Sequence, residues 1–208
     1  MSIQAEEQAI INELKKLIPA QSAKDDTFAD LAKFLTRGIT GGFLAAHGTQ
    51  KLLGWFNGPG FKGTMGFMSM MHLKPEKFWA MAAGASELGG GALSSLGLFY
   101  PLGPIMSIGA MGIAAGTIHS KKPIWITDGG AETPLTLAVL NAALALTGPG
   151  KFSLDRMLGI RVPRAISILA FLAVVGSVAS GIQQYHVAQA EAAAQAENEA
   201  QASATTQN

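Results

Sequence analysis

Four side chains in this chain combine reactive chemistry with an apolar setting: His47, Lys51, Glu87 and His119. An ionisable group near the centre of a bilayer costs about 3 kcal/mol on insertion scales, so it must be paired or used. Glu87 lies in AGASELGGGAL, among residues without bulk, about nine residues into its apolar run. At about 1.5 Å per helical residue, that sets it roughly 13–14 Å below the outer surface. A carboxyl there serves a proton or a ligand, or desolvation keeps it neutral and it hydrogen-bonds a neighbouring helix. His47 and Lys51, in FLAAHGTQKLL, are four residues apart and share a helix face with Phe43. An imidazole at that depth can bind a metal, a haem or a quinone oxygen, or shuttle protons; it serves equally well as a neutral interhelical hydrogen-bonding group. Lys51, near the end of its run, either snorkels to the interface or joins the same chemistry. His119 closes another run on the same side, as an interface anchor or a member of the site. The sharpest expectation is that His47, Glu87 and His119 converge on one pocket in the outer half of a bilayer.

Other polar residues carry less. His72 and His186 fall in a loop and a tail, where a solvated imidazole is expected, and Asn141 is expected to hold helices together. There is no cysteine, which excludes thiol nucleophiles, disulfide relays and Cys-ligated zinc or iron–sulfur centres in this chain. No GxxxxGK[ST], HExxH or Gly-rich Rossmann turn is present, so nucleotide chemistry has no support. A net charge of +1 gives no reason to expect a nucleic-acid partner, and no metal site is expected.

The elements that must position these groups are long apolar helices. Charged residues make up 14% of the 208-residue chain, well below a soluble domain's usual share of about 25%, and there are 25 glycines. Apolar runs are expected to cross a bilayer at about Leu31–Leu53, Phe78–Tyr100, Leu102–His119, Ala131–Gly148 and Ala165–Gln183. The fourth is marginal in length. Continuous rather than alternating apolarity predicts helices, not barrel strands. Pro101 makes the second and third runs a tight antiparallel hairpin. Ser86, Gly90 and Gly91 on one run, and Gly109, Gly112 and Gly116 on the next, offer smooth packing stripes.

Loop charge sets the orientation. One side carries Lys15, Lys16, Lys24, Lys33, Arg37, Lys151, Arg156, Arg161 and Arg164; the other carries Lys51, Lys62, Lys74, Lys77, Lys121 and Lys122. Every arginine falls on the first side, which places the N-terminus inside and, after five crossings, the C-terminus outside. Residues 1–27 read as a cytosolic amphipathic arm, with Ile10, Ile11, Leu14, Leu17 and Ile18 at helical spacing. The outer loop Gly54–Lys77 spaces Phe61, Met65, Met68 and Met71 for a short helix buried in the headgroup region. The Ala/Glu/Gln-rich tail, 187–208, is expected to extend the last helix only briefly before fraying.

Several stretches together resemble the DoxX/DoxD-like membrane proteins: GFLAAHGTQKLLGWF, PEKFWAMAAGASELGGGALSSLGL, GPIMSIGAMGIAAGTIHS and LALTGPGKFSLD, covering about residues 35–156. The resemblance implies an all-α integral membrane helix bundle of bacterial or archaeal cytoplasmic membranes. Residues 28–156 would form a four-helix DoxX-like core, to which this chain adds a fifth C-terminal transmembrane helix over 157–186. It also implies association with redox complexes, such as the small membrane subunit of thiosulfate:quinone oxidoreductases, or with oxidative-stress enzymes. The family's recurring polar positions map onto His47, Lys51, Glu87 and His119, without assigned roles. The leading expectation is therefore a multi-pass membrane subunit of a redox complex, of the quinone-linked oxidoreductase kind, with quinone as the candidate cofactor. The alternatives are a non-catalytic anchor for a soluble enzyme and, third, a small-solute transporter, against which the lack of an inverted repeat or a Gly/Pro-broken helix pair counts.

Overall fold

A computed structural model of the chain describes residues 6–8 and 26–206. The hydrophobic stripe of the N-terminal arm, Ile10 to Ile18, lies outside the described residues. Among those described there are helices and no strands: α1 (Thr27–Leu53), α2 (Gly60–Met70), α3 (Glu76–Leu96), α4 (Leu102–Gly116), α5 (Glu132–Thr147), α6 (Leu154–Leu158) and α7 (Arg164–Thr206). Single 3₁₀ turns at Trp55–Asn57 and Ile126–Asp128 fill two of the connections.

The centre of the fold is the antiparallel pairing of α1 with α3. On α1 the residues Arg37, Gly41, Leu44, Gly48 and Lys51 recur at steps of four and three; on α3 the residues Ala80, Gly84, Glu87, Gly91 and Ser94 do the same. That period of about 3.5 keeps one seam facing the partner along the whole length. Glycines occupy the middle of both seams, and a Cβ on Gly41 would strike Gly91 O while one on Gly48 would strike the Leu88 backbone. Backbones therefore meet directly, as small residues permit. Asp26 starts α1 by accepting a hydrogen bond from the Ala29 amide at 3.0 Å, and Gly54, at φ 74°, ends it.

The polar seam ends are closed differently. At one end the buried Arg37 guanidinium donates to Ser94 O at 3.4 Å and, more closely, to the carbonyls of Ser95 and Phe152. Those Ser carbonyls belong to the last turn of α3, whose C=O groups have no intrahelical partner and whose dipole favours a cation. Asp155 completes this corner: its two carboxylate oxygens accept from the amides of Phe99 (2.8 Å) and Tyr100 (2.7 Å) in the α3–α4 turn. Ser153 caps α6 and so holds Asp155 in place.

Around this pair, α4 packs on α3, α5 on α4, and α7 on the far side of α4. The glycine stripe of α4 receives α7: Gly109 faces Val174, Gly112 faces Val178 and Gly116 faces Ile182, so α4 and α7 run parallel. At the far end, Trp79 Nε1 donates to Gln184 Oε1 at 3.2 Å, tying α7 to α3.

Beside an apolar core that includes Leu44, Leu73, Trp79 and Leu144, several polar groups are buried while many large apolar side chains are exposed. Buried positions include Arg37, Thr40, Glu87, Ser94, Ser107 and Asn141, whereas Phe28, Leu35, Ile39 and Phe43 line the outer face of α1 and Ile168, Leu169 and Leu172 that of α7. Apolar patches of this extent suit contact with lipid. By length and composition α7 is the one described helix apolar enough to cross a membrane alone; α4 and α5 are apolar but have 15 and 16 residues. At 43 residues, α7 is about 65 Å long, roughly twice a hydrocarbon core. Contrary to the expected early fraying of the tail, it stays helical through Thr206. Alanine-rich sequence with Glu and Gln has high helix propensity, which explains the continuation.

Candidate functional site

The connection between α1 and α3 builds one wall of a cavity. As its Met and Phe spacing predicts, 60–70 is helical, and Met68 is buried with Leu73, Trp79, Ala80 and Tyr185. Phe61, Met65 and Met71 pack against this cluster, so α2 folds back onto protein and is not merely sunk among headgroups. Thr64 anchors it, its hydroxyl lying 2.9 Å from both Lys51 O and Gly60 O. The Lys51 carbonyl is in the last turn of α1 and would otherwise lack a partner.

Beneath α2 lies a cavity of about 220 Å³. Phe67 and Met68 close it from α2 and Leu73 from the turn that follows, Ala83, Ser86 and Glu87 from α3, Gly109, Ala110 and Ile113 from α4, and Val174, Ser177 and Val178 from α7. Small residues on α3 and α4 leave this space unfilled. The wall carries two charged residues, Lys51 and Glu87, which form a close ion pair. Glu87 is 4% exposed, whereas the Lys51 side chain is about one-third exposed. Lys51 Nζ donates to Glu87 Oε1, and Oε2 has no hydrogen-bond partner among the described residues. The site therefore sets an ammonium–carboxylate pair in the wall of a largely apolar space.

His47 and His119 stand apart from this pair. His47 is exposed beside Phe43, and its Nδ1 lies 3.0 Å from Gln50 Oε1 on its own helix. Four residues turn an α-helix by about 400°, so Lys51 is rotated about 40° from His47 toward the seam, and its flexible stem covers the remaining distance. His119 is half-buried and its Nδ1 lies 2.5 Å from Gly129 O. With a carbonyl as partner, Nδ1 carries the proton, and the imidazole pins the α4–α5 connection. Of the four candidate residues, Lys51 and Glu87 line the cavity, and His47 and His119 do not. His72 and His186 are exposed. Asn141 is buried but bonds back to Leu137 O of its own helix at 2.8 Å instead of crossing to a neighbour. Among the described residues, no group of three or more His, Cys, Asp or Glu could hold a metal ion.

Three residues that shape the site or its scaffold carried no weight in the sequence: Thr64, Arg37 and Asp155. For Arg37 a signal existed, since it begins the seam that Lys51 ends. Asp155 and Thr64 act on backbone groups distant in the chain and left no local mark.

No curated protein and no solved structure matches the chain. The family match ends at residue 120, so α5, α6 and α7 lie beyond it, and the resemblance over LALTGPGKFSLD is not part of that match. Residues 32–120, which include the seam of α1 and α3, the α2 cover and α4, match the DoxX family model.

Proposed function

We propose that the protein is a multi-pass membrane subunit of a redox-associated complex and that it binds a quinone-type headgroup in the cavity beneath α2. The observation that carries this is the Lys51–Glu87 pair set in an apolar wall between helices. A quinone is a flat apolar ring with carbonyl oxygens. Lys51 would donate to one such oxygen, and Glu87 would hold or release the proton that accompanies reduction. In this reading α1, α3, α4, α5 and α7 cross the cytoplasmic membrane with the N-terminus inside. The alternating directions of these helices and the arginines gathered at one end support that orientation. The short α4 and α5 require local thinning of the bilayer or shielding by their neighbours.

The test is saturable binding of a short-tailed benzoquinone to the purified protein in lipid nanodiscs. Lys51→Met should weaken it on the order of tenfold, the cost of one charge-assisted hydrogen bond. No saturable binding by the wild type, or equal binding by the variant, rejects the quinone site.

A second reading, the membrane anchor for a soluble enzyme, draws on the outer half of α7. From Val187 onward it is a largely exposed polar helix with Glu191, Glu197 and Glu199 on its surface. An enzyme that co-purifies with the full chain and is lost on truncation after Tyr185, with no quinone bound by either form, would favour this reading.

A further inference from the structure

At the opposite end of the bundle from the Lys51–Glu87 cavity is an open cleft of about 570 Å³ between the start of α1, the end of α5 and the α6 segment. Three of the chain's four arginines fall between positions 156 and 164, and two of them, Arg156 and Arg161, line this cleft with Lys151. Left-handed glycines at 148, 150 and 159 fold the chain so that these three cations share one opening.

The carboxylates of the cleft are already engaged. Asp30 is ion-paired with Lys33 at 3.5 Å, and both oxygens of Asp155 accept backbone amides of Phe99 and Tyr100. Arg156 and Arg161 are exposed, and neither side chain has an ion pair or hydrogen bond among the described residues. Lys151 is half-buried and donates to Thr27 Oγ1 at 2.7 Å. The lining thus holds three cations against two carboxylates, Asp30 and Asp155, for a net charge of +1, and the two guanidinium groups have donors to spare. Beside it, α6 exposes Met157 (76%) and Leu158 (64%), large apolar side chains on the same short segment as the arginines. A free anion has no use for these, whereas an amphiphile satisfies both: phosphate on the cations, acyl chain on Met157 and Leu158.

We propose that the cleft formed by Lys151, Arg156 and Arg161 is a binding site for the headgroup of an anionic phospholipid, with Met157 and Leu158 seating its acyl chain. The site rests on the membrane reading above and would hold this end of the bundle, where α1, α5 and α7 meet the interface, to the inner leaflet. Guanidinium groups suit this task because they offer paired donors to phosphate oxygens.

The test uses the full chain in detergent, with binding of short-chain phosphatidylglycerol, phosphatidylcholine and glycerol phosphate measured by native mass spectrometry. Wild type should prefer phosphatidylglycerol over phosphatidylcholine. At about fivefold per basic residue near an anionic lipid surface, Arg156→Gln/Arg161→Gln should lose about 25-fold of the affinity for phosphatidylglycerol. Lys121→Gln/Lys122→Gln, on exposed lysines at the other end, should leave that affinity unchanged. Equal affinity in the arginine variant overturns the site. Glycerol phosphate binding as tightly as phosphatidylglycerol also overturns it, in favour of a soluble anion. Flotation with phosphatidylcholine vesicles separates the two readings: a protein that floats but shows no anionic preference refutes the lipid site alone, and one that does not float refutes the membrane reading together with it.

Discussion

Two glycines six residues apart on α1 should respond to alanine in opposite directions. A Cβ at Gly48 would overlap the backbone N and Cα of Leu88. Ordinary carbon contacts lie at about 3.5–4.0 Å, so α1 and α3 must separate by roughly 1 Å to admit one methyl group. A gap of that size forfeits a quarter to a half of each dispersion contact along the seam, and overpacking of this kind costs about 1–3 kcal/mol. The upper part of that range applies, because the obstacle is backbone and cannot rotate away. Replacing a helical glycine returns about 1 kcal/mol of propensity, which leaves Gly48→Ala destabilised by about 2 kcal/mol. Gly42 is exposed, and a methyl group added there would meet nothing within 4 Å, so Gly42→Ala keeps only the propensity gain. The two variants should therefore differ by about 3 kcal/mol. Reversible unfolding in mixed micelles, followed by helical circular dichroism, measures the difference. Equal stability, or a more stable Gly48→Ala, would refute direct backbone contact between α1 and α3.

Three further outcomes follow from the same geometry. Gly84 differs from Gly48 because the three atoms nearest a methyl there all belong to the Leu52 side chain, so Leu52→Ala should restore most of the stability lost in Gly84→Ala, and strict additivity in the double variant would contradict this. Lys51→Met leaves Glu87 buried and alone and should cost about 3 kcal/mol, whereas Lys51→Met/Glu87→Met should recover most of it; an additive cycle in the same unfolding assay would show that the pair is not coupled. Arg37→Met removes the donor to three carbonyls and should cost about 3 kcal/mol, with Arg37→Lys recovering only part, since one ammonium cannot reproduce a planar fork; full recovery by lysine in thermal unfolding would argue against the fork.

What the sequence conveyed, and where it stopped, follows from the range over which each interaction acts. Apolar runs, the Pro101 break and the glycine stripe of α4 are local patterns, and each became a helix, a turn or a packing face at nearly the expected place. The helix at 60–70 was likewise readable from Met and Phe spacing, although its packing partners were not. Glu87 could be recognised as buried and in need of a partner from composition alone. Naming Lys51 as that partner required the register of α1 against α3, which brings positions 36 residues apart together and depends on Gly41 meeting Gly91 and Gly48 meeting Leu88.

That register also explains why Lys51, and not His47, meets Glu87. Reading His47 and Lys51 as one face treats four residues as a full turn, a good approximation for neighbours on an isolated helix. A seam with a 3.5-residue period is more selective: Arg37, Gly41, Leu44, Gly48 and Lys51 alternate steps of four and three, and His47, one place before Gly48, falls out of that alternation. Both seams were present in the sequence, as was the matching series Ala80, Gly84, Glu87, Gly91 and Ser94. Apart from Leu44 their residues are polar, small or charged, so a search for apolar periodicity passes over them. In a bundle whose outer surface is apolar, the stripe that identifies the interior is the one made of glycine, serine and paired charge, and with Gly48 against Leu88 and Leu52 against Gly84 it brings Lys51 within a turn of Glu87, a distance its flexible stem covers.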